Sequence, residues 1–431
     1  MSRNILLSVA LLTACGTTDT RKGGQSAAEW RGHHVETSTF GADDNSEVVK
    51  MLPSGQHALL IASKARKVTL LTVTTSGLEA LRSASLFTDD ASESELTHLD
   101  VDTEGRFAAI TRTLPIKNGD ELVDCQGSLV FVDVTDSDRF GEVLSELPIG
   151  PMPDAVDISP DGRWAVTADE VDYNDGKCPL ADVHASISVI ELPSGSPTNA
   201  TVRAVVSFPP AEEGARREPE QVSFASDSLH IAATLQDTHE LLTARIDELI
   251  DDGQAIRQVS SDDLAITRLP NRSTGAEPWP DGVASFVDGS GQDYFVVAGE
   301  YNDTFSVFSL DGELINHIEI QPSDMPSDLP RNIEDWSHAP FRPDSVAPFS
   351  FQGHTYLAFS LKHAGAVGVW LADDAESIEF VSVVKIGRAD GGTPITESTI
   401  GTEGISAGSN GLVITANEDE SSASLVGPII D

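Results

Sequence analysis

Five carboxylates recur at one place in a repeat. Asp154, Glu220, Asp281, Asp344 and Glu403 each stand where the chain enters an alternating, apolar segment, and Glu47 and His98 stand near the matching place in two further copies. A second polar set follows the next apolar segment of its copy: Asp169 and Glu170, Glu300 and Asn302, Asn417 and Glu418. Acids gathered at one rim repel one another, and their pKa values rise unless something neutralises them. Hard divalent cations are natural neutralisers, and Ca²⁺ accepts roughly six to eight oxygen ligands. Asp154, Glu220, Asp281, Asp344, Glu403, Glu170 and Glu300 are therefore the expected ligands of a Ca²⁺-type ion. Acids at strand starts also cap backbone N–H groups, which accounts for the same pattern without a metal.

Trp279, beside Asp281, and Trp336 are candidates to line the same rim, or to pack beneath it. His98, Arg112, His338 and His363 are the nearby side chains suited to acid–base or electrophilic work. None of them belongs to a nucleophile motif. The chain has no H-E-x-x-H, no glycine-rich phosphate loop and no C-x-x-C.

The elements that must carry these residues are short strands. Pro153–Ile158, the turn Ser159-Pro160-Asp161-Gly162 and Trp164–Ala168 form the clearest copy. Proline presets φ and glycine accepts positive φ, so the tetrapeptide is a hairpin signal. The second strand aligns seven times, at 58–62, 107–111, 164–168, 230–234, 294–298, 355–359 and 412–416, and a third strand follows each. A repeat of this kind cannot bury its apolar face alone and implies a ring or array. The expected fold is all-β, a seven-bladed β-propeller. The chain stops after the third strand of the last unit, so Trp30–Thr39 is expected to supply its outer strand and close the ring. In such a ring, the loops before first strands and after second strands share one face, which brings the two acid sets together.

The 431 residues carry a formal net charge of −42. A field of that sign repels nucleic acid and anionic head groups. The N-terminus has Arg3, an apolar run from Ile5 to Leu12, and Leu12-Thr13-Ala14-Cys15, the pattern of an export signal. That run is too short to span a bilayer. The reading divides the chain into a signal peptide at 1–14, a flexible tether at 15–29 and the propeller at 30–431. Cys125 and Cys178 precede the third strands of adjacent units, in long loops. An exported protein meets an oxidising compartment, so these two are expected to form a disulfide.

Two resemblances follow from these residues. Leu12-Thr13-Ala14-Cys15 resembles the lipobox of bacterial lipoproteins, which implies lipidation of Cys15 and a membrane anchor. Gly16 then implies an outer-membrane destination. Pro153-Asp154-Ala155-Val156, Ser159-Pro160-Asp161-Gly162, Ala168-Asp169-Glu170, Glu218-Pro219-Glu220, Ala298-Gly299-Glu300-Tyr301-Asn302 and Glu403-Gly404-Ile405 resemble the blades of YVTN/lactonase-like propellers. They are most similar to the secreted choice-of-anchor I group, which includes proteins labelled phosphatase or phytase-like. The chain departs from that pattern at Leu96-Thr97-His98 and at Ser360-Leu361-Lys362-His363. The resulting expectation is a monomeric, envelope-tethered binding propeller for a protein or glycan, with a Ca²⁺-type ion at the channel mouth. The alternative is a metal-assisted hydrolase of phosphoesters or lactones.

Overall fold

Each blade begins with a hairpin whose turn needs a left-handed residue. Gly55, Gly105 and Gly162 supply it in blades one to three with φ of 65°, 67° and 69°, and Ser228 adopts 61° at the same place in blade four. Glycine takes such angles freely, whereas serine does so under strain. A computed structural model of the chain describes residues 30–39, 46–88, 93–119, 121–171, 178, 180, 183–208, 216–251, 256–329, 339–386, 401–418 and 420–429. The expected signal at 1–14 and tether at 15–29, with Cys15, and also Trp336 and His338, lie outside the described residues.

Seven antiparallel sheets make a propeller. Their innermost strands are Ser46–Met51, Glu95–Val101, Pro153–Ile158, Pro219–Phe224, Pro280–Val287, Pro343–Phe351 and Thr402–Ala407. These pack side by side around a central channel, the last against the first. The strand Gly32–Thr39 pairs antiparallel with Ser422–Pro428 as the outer strand of blade seven. Trp30, just before it, is fully buried and donates its indole N–H to the Gly411 carbonyl at 3.0 Å.

Apolar side chains between neighbouring sheets form the core. Between blades five and six, Phe305 lies 4.6 Å from Phe359 and 5.2 Å from Trp370, centroid to centroid. Such tilted and edge-on aromatic pairs add to the burial of their area. Among the described residues, no helix is long and apolar enough to cross a membrane.

Two features differ from the sequence reading. In blade two the second and third strands run on as a long hairpin, Phe107–Asn118 with Glu121–Asp133, where a loop is expected. Cys125 therefore lies on a strand, opposite Pro115. Its disulfide to Cys178 is present, with the Cα atoms 6.1 Å apart. Blade three gains a fifth strand, Arg257–Ser260, which pairs parallel to Thr201–Ser207.

Candidate functional site at the channel mouth

All seven innermost strands share one irregularity. Their pairing register slips just after the first residue or, in blade two, the second: between Ser46 and Val48, Leu96 and Leu99, Pro153 and Ala155, Pro219 and Val222, Pro280 and Val283, Pro343 and Val346, and Thr402 and Ile405. A bulge leaves a backbone N–H without a ladder partner and re-aims a side chain. Hydroxyls of the second strand satisfy that N–H in three blades. His98 N–H donates to Thr111 Oγ1 (2.8 Å), Gln221 N–H to Thr234 Oγ1 (3.0 Å) and Ser345 N–H to Ser360 Oγ (2.9 Å).

The residue delivered by each bulge is Glu47, Thr97, Asp154, Glu220, Asp281, Asp344 or Glu403, and all seven line one cavity of about 470 Å³. In blade two, where the acid is absent, Thr97 turns its hydroxyl to the Pro153 carbonyl at 2.6 Å. Two glycines bring neighbouring blades close. A Cβ on Gly282 would lie 2.6 Å from the Asp344 carbonyl oxygen, and one on Gly404 would lie 2.5 Å from that of Glu47. Asp281 is thereby carried against the strand that bears Asp344.

A second layer lies above this ring. In blades three to seven the residue after the second strand donates its N–H back to the carbonyl preceding the bulge: Glu170 to Met152, Gln236 to Glu218, Glu300 to Trp279, Lys362 to Arg342 and Glu418 to Gly401. This shared bond makes Glu170, Gln236, Glu300, Lys362 and Glu418 equivalent positions. Blade six thus carries a lysine where blades three, five and seven carry glutamate.

The two layers converge most tightly between blades five and six. Carboxylate oxygens of Asp281, Glu300 and Asp344 all lie within 4.8 Å of one another. Glu300 and Asp344 are each 2 % exposed, and Asp344 Oδ2 accepts no hydrogen bond. Burial pushes Asp281 well above the usual carboxylate range, and the charges of Asp344 and Glu300 add to that. Burial likewise raises Glu300 to about 7, although Arg342 beside it pulls the other way. Arg342 is ion-paired with Glu300.

Lys362 reaches the next corner, where it pairs with Glu403 and stands 3.7 Å from Asp344 Oδ2 and 3.9 Å from Glu418 Oε2. Burial disfavours its charge, but Asp344 and Glu403 outweigh burial and hold the ammonium protonated well above the ordinary lysine range. Burial raises Glu403, and Asp344 adds to it.

Deeper in the channel the lining changes character. Lys50 pairs with Asp100 at 2.7 Å, and Asp157 beside them is raised by burial and by Asp100. The carboxylates of Asp100 and Asp157 accept the backbone N–H groups of Ile158 and Phe224 in the following blades, each across an inter-blade seam. Burial, reinforced by Lys50, lowers His98 to about 4, so its imidazole is neutral and accepts the Val156 N–H.

Several expected site residues stand elsewhere. Asp169 is completely buried inside blade three, where Thr167, Ser186 and Ser188 donate to it at 2.8–2.9 Å. Asn417 makes the matching contacts with Thr415, Ser422 and Ser424 in blade seven. Both latch strands together. Asn302 is also buried, and accepts from Thr304. Neither Glu170 nor Glu300 is among the residues lining the cavity, although Glu300 meets two that are. With Asp154 and Glu220, Glu170 is the counterpart of the tight triad, yet among the described residues only Asp281, Glu300 and Asp344 converge. Arg112 is a buried structural residue, bound to Ser94 and Glu146 and stacked 3.8 Å over Phe87. His363, lowered to about 4 mainly by burial, donates to the Ala339 carbonyl. Trp279 packs between His239 and Tyr301, at 5.3 and 5.2 Å.

The fold and its loaded channel mouth place the chain among seven-bladed propellers. A Choice-of-anchor I domain family model matches residues 47–240. No curated protein matches in sequence. A streptogramin B lyase structure is similar at 13% identity and a TM-score of 0.56, covering 94% of this chain and all of that one. Virginiamycin B lyase from Staphylococcus aureus, solved as a catalytically inactive variant with quinupristin, is similar at 13% identity and a TM-score of 0.55, covering 93% of this chain and 100% of that one. Kuenenia stuttgartiensis hydrazine synthase follows at 12% and 0.54, with 95% and 100% covered. At these identities the likeness concerns the fold alone.

Proposed function

We propose that this chain is an exported, surface-associated binding propeller that holds one hard divalent cation, of Ca²⁺ type, among Asp281, Glu300 and Asp344. The observation that carries the reading is their convergence within 4.8 Å, beside a cavity that Asp281 and Asp344 line. Oxygens bound to opposite sides of a Ca²⁺ ion stand about 4.8 Å apart, twice its roughly 2.4 Å bond. Charge favours the same conclusion. Asp281, Glu300, Asp344, Glu403 and Glu418 stand beside Arg342 and Lys362, so full ionisation would leave a formal excess of acid in a largely buried place. Unneutralised carboxylates are costly there. Protons relieve part of that excess, and a divalent ion relieves more.

An ion held by three protein carboxylates keeps coordination positions open toward the cavity. Hydroxyl or carboxylate oxygens of a glycan or protein are the matching ligands, since the acidic surroundings disfavour strongly anionic partners. The choice-of-anchor match supports a surface-associated module, and the tether and Cys15 lipid anchor belong to the same proposal.

Calorimetric titration of chelator-treated protein with CaCl₂ tests the metal. One ion per chain is expected to bind and raise the melting temperature, by about 2.7 kcal/mol of stabilisation at a hundredfold excess over Kd. Asp344→Asn should weaken binding at least about tenfold, near 1.4 kcal/mol. No heat and no melting shift with the wild-type chain at millimolar Ca²⁺ would remove the cation from the reading.

A further inference from the structure

The triad has a blade-to-blade pattern: the upper residue of one blade, the lower residue of the same blade, and the lower residue of the next. Between blades five and six these are Glu300, Asp281 and Asp344. One blade further on, the same three positions are Lys362, Asp344 and Glu403, and Glu418 joins from above. We propose that this second corner is a cation position of the same kind, permanently filled by the Lys362 ammonium, so that the mouth holds one mobile ion and one tethered cation side by side. The inference deepens the Ca²⁺ reading and rests on it.

Three observations lead there. First, the backbone bond from Lys362 N–H to the Arg342 carbonyl repeats the bond from Glu300 N–H to the Trp279 carbonyl, so the two side chains start from equivalent places. Second, the ammonium nitrogen sits among three carboxylates, the surroundings a metal ion would demand. Third, the residue shared by both corners, Asp344, is almost wholly buried, and its Oδ2 accepts no hydrogen bond. That oxygen feels Lys362 only at 3.7 Å, and it belongs to a side chain placed to serve an ion on either side.

A tethered ammonium changes what the mouth can do. Two adjacent divalent ions would share Asp344 and form a two-metal centre, suited to clamping a bridging oxyanion. One ion beside a lysine gives a single Lewis-acidic point flanked by a fixed positive charge. Lysine is a compact point charge with three donors, and here its ammonium faces three carboxylates. Lys362 is on this view a specificity-determining residue, which restricts the centre to one ion.

Ion counting by equilibrium dialysis against CaCl₂ with elemental analysis tests this on the full chain. Wild type and Lys362→Arg should each hold one Ca²⁺, whereas Lys362→Glu, which restores the carboxylate of the preceding corner, should hold two. Melting curves recorded in Ca²⁺ verify folding, and if Lys362→Glu does not fold, Lys362→Gln serves, with the second ion expected at lower affinity. If wild type and the variants all hold one ion, the second corner is not a cation position and the inference falls, while the Ca²⁺ reading stands. If wild type holds none and Lys362→Glu holds one, the corner assignment stands and the Ca²⁺ reading fails.

Discussion

Asp169 shows how one side chain can weigh on the whole molecule. Burial raises it to about 7, even with three hydroxyls donating to it. Its folded value is thus above the ordinary aspartate value of about 3.8, so the unfolded chain ionises first as pH rises. Stability is full below about pH 4, declines between about 4 and 7, and is lower thereafter by up to about 4 kcal/mol, from roughly three pH units at 1.36 kcal/mol each. Asn417 already holds the equivalent place in blade seven with a neutral amide. Asp169→Asn should therefore raise the melting temperature at pH 8 by several degrees and leave it almost unchanged at pH 4. Equal melting of the two proteins at pH 8 would contradict a strained carboxylate. The same residue marks a limit of sequence reading. Ala168-Asp169-Glu170 looks like a loop with two ligands, but Asp169 ends a buried strand and Glu170 follows it with its N–H on the Met152 carbonyl.

At the scale of elements, the bulged inner strand is the device that makes a site out of a repeat. A regular strand would alternate its side chains, whereas one extra residue turns an acid toward the axis in six of seven blades. The approach of neighbouring strands then decides which acids meet, and it depends on Gly282 and Gly404. Gly282→Ala would force the Asp281 strand away from Asp344, with a packing cost of about 1–3 kcal/mol. Its Ca²⁺ affinity should fall at least about tenfold. Gly404→Ala, which parts blades seven and one instead, should lower the melting temperature similarly yet leave Ca²⁺ affinity within about twofold; calorimetry on both variants separates the two effects. The seven hairpins were legible in the sequence because Pro, Asp and Gly mark their turns and period two marks their strands. The bulges were not, since a register slip shows only once partners are paired. Neither Arg342 nor the Lys50–Asp100 pair carried a local signal, although aligning the seven inner strands by position would have exposed the latter. Lys362 was visible as a departure, but its role needed the neighbouring blade. In blade two the long hairpin was missed because its polar, exposed end, with Lys117 and Asn118, reads as a loop.

The whole molecule adds the question of where it works. The N-terminal segment and Cys15 lie outside the described residues, and lipid attachment is a proposal with its own test. Metabolic labelling with a palmitate analogue should mark the wild-type chain in a bacterial host and leave Cys15→Ser unlabelled; equal labelling of both would refute attachment at that cysteine.

The pairing of Gly32–Thr39 with Ser422–Pro428 has a consequence for how the chain reaches its native state. Of the described strands, the first to be synthesised must wait for the last. Until Ser422–Pro428 arrives, Gly32–Thr39 has no partner strand and the circle cannot shut, so each earlier blade can form while the ring stays an open arc. Contacts spanning nearly 400 positions, such as Trp30 with Gly411 at a separation of 381, make this last step slow. Molecules whose synthesis halts early should therefore stay sticky at both ends, prey to proteases and quality control, and only full-length copies would become durable.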